Sequence, residues 1–192
     1  MSWNLVALFD LGRENATPDW LREQLAANPQ AFVEWVQVMR QDAYFNVLTG
    51  RTHWTIETHP SGPRLLGPER FEIDFAPRTL EASDSIRFGA FQGREAYRRA
   101  VRRVCLLIAD LVGSARVIYT HECMPYDGVP LADKIPWPVP PPYTLRDKET
   151  ALRTLIGPPA ATFQELHVAQ DFGPRAWYID TFADLRDAEH ST

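Results

Sequence analysis

The fold is decided by residues 85–121, SIRFGAFQGREAYRRAVRRVCLLIADLVGSARVIYTH, where a helical pattern lies between two β-like runs. Within 94–112 apolar side chains recur at helical spacing, so they form one stripe along the helix. The stripe consists of Tyr97, Ala100, Val101, Val104, Leu107, Ile108 and Leu111. Gly113 follows it and is a typical helix stop. We therefore predict a core helix at 94–112.

The residues on either side of this helix have the pattern of β-strands. The run 86–91 before it and the β-branched run 115–121 after it are short and largely apolar. Two such strands joined by a helix run parallel, and the connection is right-handed in nearly all known folds. Residues 85–121 are therefore predicted to form a strand-helix-strand unit with a right-handed crossover.

The N-terminal part of the chain predicts one further strand and two further helices. Residues 3–9 are almost all apolar, as in a strand that is buried on both faces. A Thr followed by Pro at 17–18 is typical of a helix start, and helical spacing continues to residue 27. After the break at 28–29, helical spacing returns and ends near residue 41.

Residues 44–91 change from helical to alternating spacing, which is typical of antiparallel strands with one wet face. The alternation is clearest at 52–59 and 71–75. Together with the neighbouring helices, these strands predict an α+β fold in a single domain over 1–192. We expect an antiparallel or mixed sheet of about six strands, with helices covering one face.

The C-terminal third begins with a proline-rich segment. Seven prolines lie in 125–143, so this segment is extended and is expected to cross its own domain as a strap, with a polyproline surface for a partner as the alternative. Beyond it we predict a short helix at 144–156 and strands at 163–169 and 176–180. The acidic residues 186–192 are expected to fray.

The composition of the chain excludes several classes of protein. Lys and Arg total 20 against 25 Asp and Glu, and the net charge of −5 disfavours a nucleic-acid or membrane surface. We see no signal peptide, and the longest mostly apolar stretch, 104–112, is too short to span a bilayer. Cys105 and Cys123 match neither a disulfide scaffold nor a paired-thiolate zinc site. We expect a cytoplasmic protein without a cofactor.

The first candidate site is the segment 120–128, at the end of the strand after the core helix. Ligands commonly bind at such strand ends in α/β sheets. The candidate residues are His121, Glu122 and Cys123 for catalysis and Tyr126 and Asp127 for binding. The alternative is a buried thiol, a satisfied histidine and an ordinary turn. Because the pattern shows no orienting third group and no oxyanion donor, we assign no catalytic role.

The second candidate is a group of imidazole and carboxylate side chains on one predicted strand. His53, Glu57 and His59 share a face of it, and Glu72 and Asp74 are expected beside them across a hairpin. His53 and Glu57 are about 13 Å apart at the rise of a strand, too far to share one ion. Only Glu57 and His59, with a further ligand, are candidates for zinc or iron. The alternative is a solvent-facing sheet surface, so no metal site is assigned.

The third candidate is a row of arginines on the polar face of the core helix. It consists of Arg94, Arg98, Arg99, Arg102 and Arg103, with Arg116 shortly after. Guanidinium groups at this density suit phosphate, RNA or an acidic protein surface, although the acidic total disfavours nucleic acid. The alternative is a solvated helix face that pairs with local acids such as Glu95.

These patterns favour a non-catalytic cytoplasmic protein-binding domain with the role of an inhibitor, an immunity factor or an adaptor. No complete catalytic, cofactor or metal motif is present, whereas charged and aromatic clusters suit a protein interface. The residues expected to bind the partner are Arg98, Arg102, Tyr126, Asp127 and Trp137. The alternative is a small enzyme or ligand-binding domain with its site at 120–128. The oligomeric state does not follow from the sequence.

Overall fold

The computed structural model describes residues 4–41, 49–59, 62–121, 143–170 and 173–189 of the chain. These residues form seven strands in one sheet and seven helices. The strands are β1 (Asn4–Asp10), β2 (Thr55–His59), β3 (Gly62–Leu66), β4 (Glu72–Phe75), β5 (Thr79–Arg87), β6 (Val117–His121) and β7 (Tyr178–Asp180). The helices are α1 (Pro18–Ala27), α2 (Gln30–Gln41), α3 (Phe88–Gly93), α4 (Glu95–Val112), α5 (Leu145–Ile156), α6 (Phe163–Val168) and α7 (Ala183–Glu189).

The sheet has the strand order β2-β3-β4-β5-β1-β6-β7, and every neighbouring pair is antiparallel. The predicted α+β fold is confirmed, with seven described strands where about six were expected. β1 lies inside the sheet, as its apolar run predicts, because an interior strand covered on both faces needs apolar side chains at successive positions.

The strand-helix-strand prediction at 85–121 gives the relative direction of the two strands correctly, but it is wrong about where the first strand ends. β5 and β6 both pair antiparallel with β1, so they run parallel to each other with β1 between them. The predicted strand at 86–91 is wrong, because β5 ends at Arg87 and α3 follows it. In α3 the rings of Phe88 and Phe91 are both buried and stack at 6.2 Å. Residues three apart share a face of a helix but not of a strand.

The core occupies both faces of the sheet. Leu5, Ala7 and Phe9 of β1 pack into the larger cluster, to which α1, α2, α3 and α4 also contribute. Val6 and Leu8 point the other way and pack in the smaller cluster with side chains of α5. The predicted helical cover of one face is therefore present, and α5 adds a helix to the opposite face. Thr144 is the N-cap of this helix, and the side chains of Thr144 and Asp147 form a reciprocal capping box.

Two further C-terminal predictions are wrong. Residues 163–168 form α6 instead of a strand, because Thr162 caps a helix by accepting a hydrogen bond from the Glu165 amide at 3.1 Å. The end of the chain is not entirely frayed, since α7 continues to Glu189. The proline-rich strap predicted at 125–143 lies outside the described residues, except for its last residue.

Candidate functional site

A groove of about 600 Å³ lies between α1, α2 and the segment 51–54 that leads into β2. We call this feature the α2 groove. Its volume falls in the range of clefts that bind ligands in proteins, and its lining is mostly apolar with a few charged groups. Among the described residues it is the most developed candidate for a binding site.

The apolar floor of the α2 groove comes from α2 and from Trp54. Phe32 and Val36 are four residues apart and lie on one side of the helix, with Val33 beside them. The ring of Phe32 meets the Trp54 ring edge-on, with 5.2 Å between centroids, and Phe71 supports both rings from the core. Val33 keeps 42% of its surface exposed. Phe32 and Trp54 are themselves buried, at 3% and 8% exposed, so the accessible apolar surface of the floor is mainly that of Val33 and Val36.

The position of Trp54 depends on a glycine. A Cβ atom at Gly67 would lie 2.5 Å from the Trp54 ring, closer than any real carbon contact. The indole therefore packs directly on the backbone of the segment between β3 and β4. Its exposed fraction of 8% shows that the contact with Gly67, Phe32 and Phe71 leaves only part of the ring for the groove.

A buried carboxylate holds the segment at the charged end of the α2 groove. Glu69 is 1% exposed, and its Oε2 accepts hydrogen bonds from the amides of Thr49 at 2.9 Å and Gly50 at 3.1 Å. Its own amide donates to the carbonyl of Arg51. Glu69 has a φ of 54°, in the left-handed region that glutamate seldom adopts. The strained backbone and the hydrogen bonds together fix residues 49–51 against the groove.

The charged end of the α2 groove carries an excess of cations. Arg40, Arg51 and His53 line it, and the Arg40 guanidinium lies 3.9 Å from the Glu69 carboxylate. The single carboxylate of Glu69 faces two guanidinium groups, so it neutralises this end incompletely. Within the described residues no carboxylate forms an ion pair with Arg51. At the α1 side, by contrast, Arg22 is balanced by Asp19 and Glu23.

The lining suits binding better than catalysis. The lining groups typical of acid-base chemistry are His53, Glu23 and Glu69, but Glu23 pairs with Arg22 and the Glu69 carboxylate accepts the amides of residues 49–50. A nucleophile with a base in hydrogen-bond reach is what covalent catalysis requires, and the described lining residues do not form such a pair. An apolar floor beside two arginines can instead hold an amphipathic anion.

The first candidate from the sequence, at 120–128, is only partly described. His121 lies at the end of β6, is 1% exposed, and packs its ring against Phe88 at 5.6 Å. Glu122, Cys123, Tyr126 and Asp127 lie outside the described residues. The described member of the group is therefore a core residue.

The metal candidates lie on an exposed strand. Glu57 and His59 are on β2, at one end of the described sheet. The expectation that Glu72 and Asp74 lie directly across a hairpin from them is wrong, because β3 runs between the two strands. Asp74 binds Arg64, with 2.6 Å between its Oδ1 and the guanidinium Nε. Within the described ranges no group of three or more His, Cys, Asp or Glu could hold a metal ion.

The arginine row does not form one exposed surface. Arg102 is 7% exposed and donates two hydrogen bonds to Asp180, at 2.6 and 3.1 Å, and two to Asp184, at 2.8 and 2.5 Å. Burial alone would lower the pKa of Arg102, but the hydrogen bonds that it donates to Asp184 and Asp180 outweigh burial and raise the pKa. Arg99 and Arg103 pair with Glu34. Arg102 is thus a buried ion-pair residue and is not placed to meet a partner.

Arg98, the other predicted binding residue of this helix, is also engaged within the fold. It donates to the carbonyls of Phe91 at 3.2 Å and Gln92 at 2.9 Å, and its guanidinium lies over the Phe163 ring. Burial lowers its pKa, and Glu95 opposes that effect. The remaining predicted binding residue, Trp137, lies outside the described part of the chain.

The α2 groove was missed at the level of sequence. Val33 and Val36 lie in the stretch of helical spacing predicted after residue 29, and Trp54 lies in the alternating stretch 52–59, so none of them signals a surface. The usable signal was the width of the stripe. Phe32, Trp35 and Met39 are sufficient to bury one side of α2, which leaves the two valines for another contact.

No protein-family model matches this chain, and comparison with curated proteins and with solved structures finds no significant similarity. In the described ranges, no helix has both the length and the apolar character needed to cross a membrane.

Proposed function

We propose that this protein is a non-catalytic cytoplasmic protein-binding domain, with the role of an inhibitor, an immunity factor or an adaptor, and that it holds its partner in the α2 groove. The observation that supports this most strongly is the exposed Val33 in the groove lining, beside the buried rings of Phe32 and Trp54. A lone exposed valine needs no explanation, but one in a concave apolar lining marks a place where another molecule is buried.

The rigidity of the floor supports a recognition role. Phe32, Trp54 and Phe71 contact one another edge-on, and Trp54 also rests on the backbone of Gly67. Aromatic side chains that are locked before binding lose little conformational entropy when a partner arrives.

A pair of matched variants tests the proposal. Val33→Asp places a charge in the α2 groove, and Leu155→Asp makes the same change at a residue of α5 with nearly the same exposure, 45% against 42%. Tagged wild-type protein and both variants are used to capture proteins from a lysate of the native host. We expect a stoichiometric partner that wild type and Leu155→Asp retain and Val33→Asp loses.

Each result has a definite meaning once thermal unfolding shows that the variants are folded. A partner that binds Val33→Asp as well as wild type contradicts the assignment of the α2 groove. Loss of binding with Leu155→Asp alone places the interface on α5. The alternative of an enzyme at 120–128 gains no support from the described residues, because His121 is packed in the core.

A further inference from the structure

We infer, on the basis of the proposed function, that the partner segment bound in the α2 groove is acidic and amphipathic. Its apolar side chains lie on the floor formed by Phe32, Val33, Val36 and Trp54, and a carboxylate meets Arg40 and Arg51. The two arginines thus require negative charge on the partner, in addition to the apolar side chains that the floor requires.

The groove has a direction along α2. Its lining on this helix runs from Phe32 to Arg40, a rise of about 12 Å at the pitch of an α-helix. The apolar residues occupy the first part of that length and the arginine the last. A matching ligand therefore has apolar groups at one end and negative charge at the other, roughly 10 Å apart. Two turns of a helix or three to four extended residues span that distance.

The negative charge expected on the partner follows from the charged side chains at this end of the α2 groove. Arg40 and Arg51 face the groove together with His53, and Glu69 is the acid beside them. Arg40 and Arg51 outnumber the single Glu69 carboxylate at this end, so one positive charge is left in excess there. The rest of the protein is acidic, with a net charge of −5, so a positive site is a local feature. Opposite charge on the partner speeds encounter and fixes its orientation.

Arg40 and Arg51 are suited to a carboxylate because the guanidinium group donates in a planar fork. Arg40 remains more than half exposed, although it approaches Glu69. A carboxylate of the partner can therefore reach the exposed part of Arg40 while the guanidinium stays near Glu69. Arg22, at the opposite side of the groove, is already paired with Asp19 and Glu23 and offers no comparable site.

The test uses a random-peptide library displayed on phage and selected on the full-length chain. Counter-selection on Val33→Asp removes every peptide that does not depend on the groove. We expect the survivors to combine two or three apolar residues with Asp or Glu. Synthetic copies of the survivors are then measured against Arg51→Glu and, as a control, Arg146→Glu, which reverses a charge on exposed α5 surface. Binding should weaken roughly tenfold or more with Arg51→Glu and stay unchanged with Arg146→Glu.

The outcomes separate this inference from the proposed function. Survivors that lack acidic residues, or that bind Arg51→Glu as well as wild type, overturn the inference and leave the groove as a protein-binding site. A library that yields no groove-dependent peptide counts against both. If sodium dodecanoate displaced the peptides at a concentration near the Kd of the peptides, the occupant of the groove would be a small amphipathic anion instead of a protein segment. A dimer in solution that Val33→Asp dissociates would identify the occupant as a second copy of the chain.

Discussion

At the scale of single residues, Arg102 has the most demanding environment. It leaves α4, is nearly buried, and binds Asp180 at the end of β7 and Asp184 in α7. Desolvating a guanidinium is costly unless its N–H groups are hydrogen-bonded, and here Nε, Nη1 and Nη2 all donate to carboxylates. The Phe163 ring lies 4.9 Å beneath the same group. Arg102 therefore connects the core helix to the C-terminal strand and helix.

Replacing Arg102 should destabilise the fold severely. In Arg102→Gln the carboxylate of Asp180 stays buried without its counter-charge, which is expected to lower the free energy of unfolding by about 3 to 5 kcal/mol. Arg103→Gln is the control, because its pair with Glu34 is largely exposed and contributes less than about 1 kcal/mol. Urea denaturation of both variants makes the comparison. Equal losses of unfolding free energy in the two variants would show that the buried Arg102–Asp180 pair stabilises the fold no more than the Arg103–Glu34 pair.

The same interaction sets the acid titration of Asp184. The hydrogen bond from Arg102 holds the Asp184 pKa below its ordinary value of 3.8, and backbone hydrogen bonding at Thr144 lowers the pKa of Asp147 independently. A lowered pKa stabilises the fold above pH 3.8, and this contribution is lost as the pH falls through the lowered value. In Arg102→Gln, carboxyl NMR should show the Asp184 pKa rising towards 3.8 while that of Asp147 stays low. Parallel shifts of both would contradict Arg102 as the cause.

At the scale of the elements, the segment between β3 and β4 shapes the α2 groove through Gly67. Its backbone is the surface on which Trp54 rests, and any side chain there would occupy the space of the indole. Glu69, two residues later, holds residues 49–51 in place. This short segment therefore positions both the apolar floor and the charged end, although it contributes little lining itself.

Gly67→Ala should disturb the groove. The new methyl group displaces Trp54, with a loss of about 1 to 3 kcal/mol of stability and weaker partner binding. Gly89→Ala is the matched control, since a Cβ at Gly89 would meet nothing within 4 Å. Tryptophan near-ultraviolet circular dichroism, combined with binding measurements, follows the indole directly. An unchanged spectrum with intact binding would show that Trp54 does not depend on Gly67.

Long, regular patterns predicted the elements well, and short ones did not. The stripe of α4 gave its bounds to within a residue, and the Thr-Pro pair gave the start of α1. Residues 86–91 and 163–169 were predicted as strands because runs as short as these fit either period, whereas the structure has helices at 88–93 and 163–168. The cap at Thr162 was the neglected signal for the second of these.

The site was less predictable than the fold, because it depends on pairings between distant residues. Arg102 and Asp180 are 78 residues apart, so nothing in the spacing of the arginine row reveals that its centre is buried. The α2 groove likewise joins α2 to residues 51–54, which pack together only through the aromatic contacts around Trp54. Periodicity reports which face of an element is apolar, but not whether another element covers it.

At the scale of the whole molecule, the two faces of the sheet carry different features. The face that carries α1, α2 and α4 holds the larger core and, at the β2 and β3 side, the α2 groove. The face that carries α5 holds the smaller core around Val6, Leu8 and Trp177. Partner binding at the groove should therefore leave the α5 face unaffected.

The most direct test of the groove as the binding site is hydrogen exchange of the full-length chain with and without its captured partner. We expect slower exchange in α1, in α2 and at 49–54, and no change in α5, which lies on the opposite face. Slower exchange confined to α5, or to β6 and α4, with the α2 region unchanged, would contradict the α2 groove as the site of partner binding.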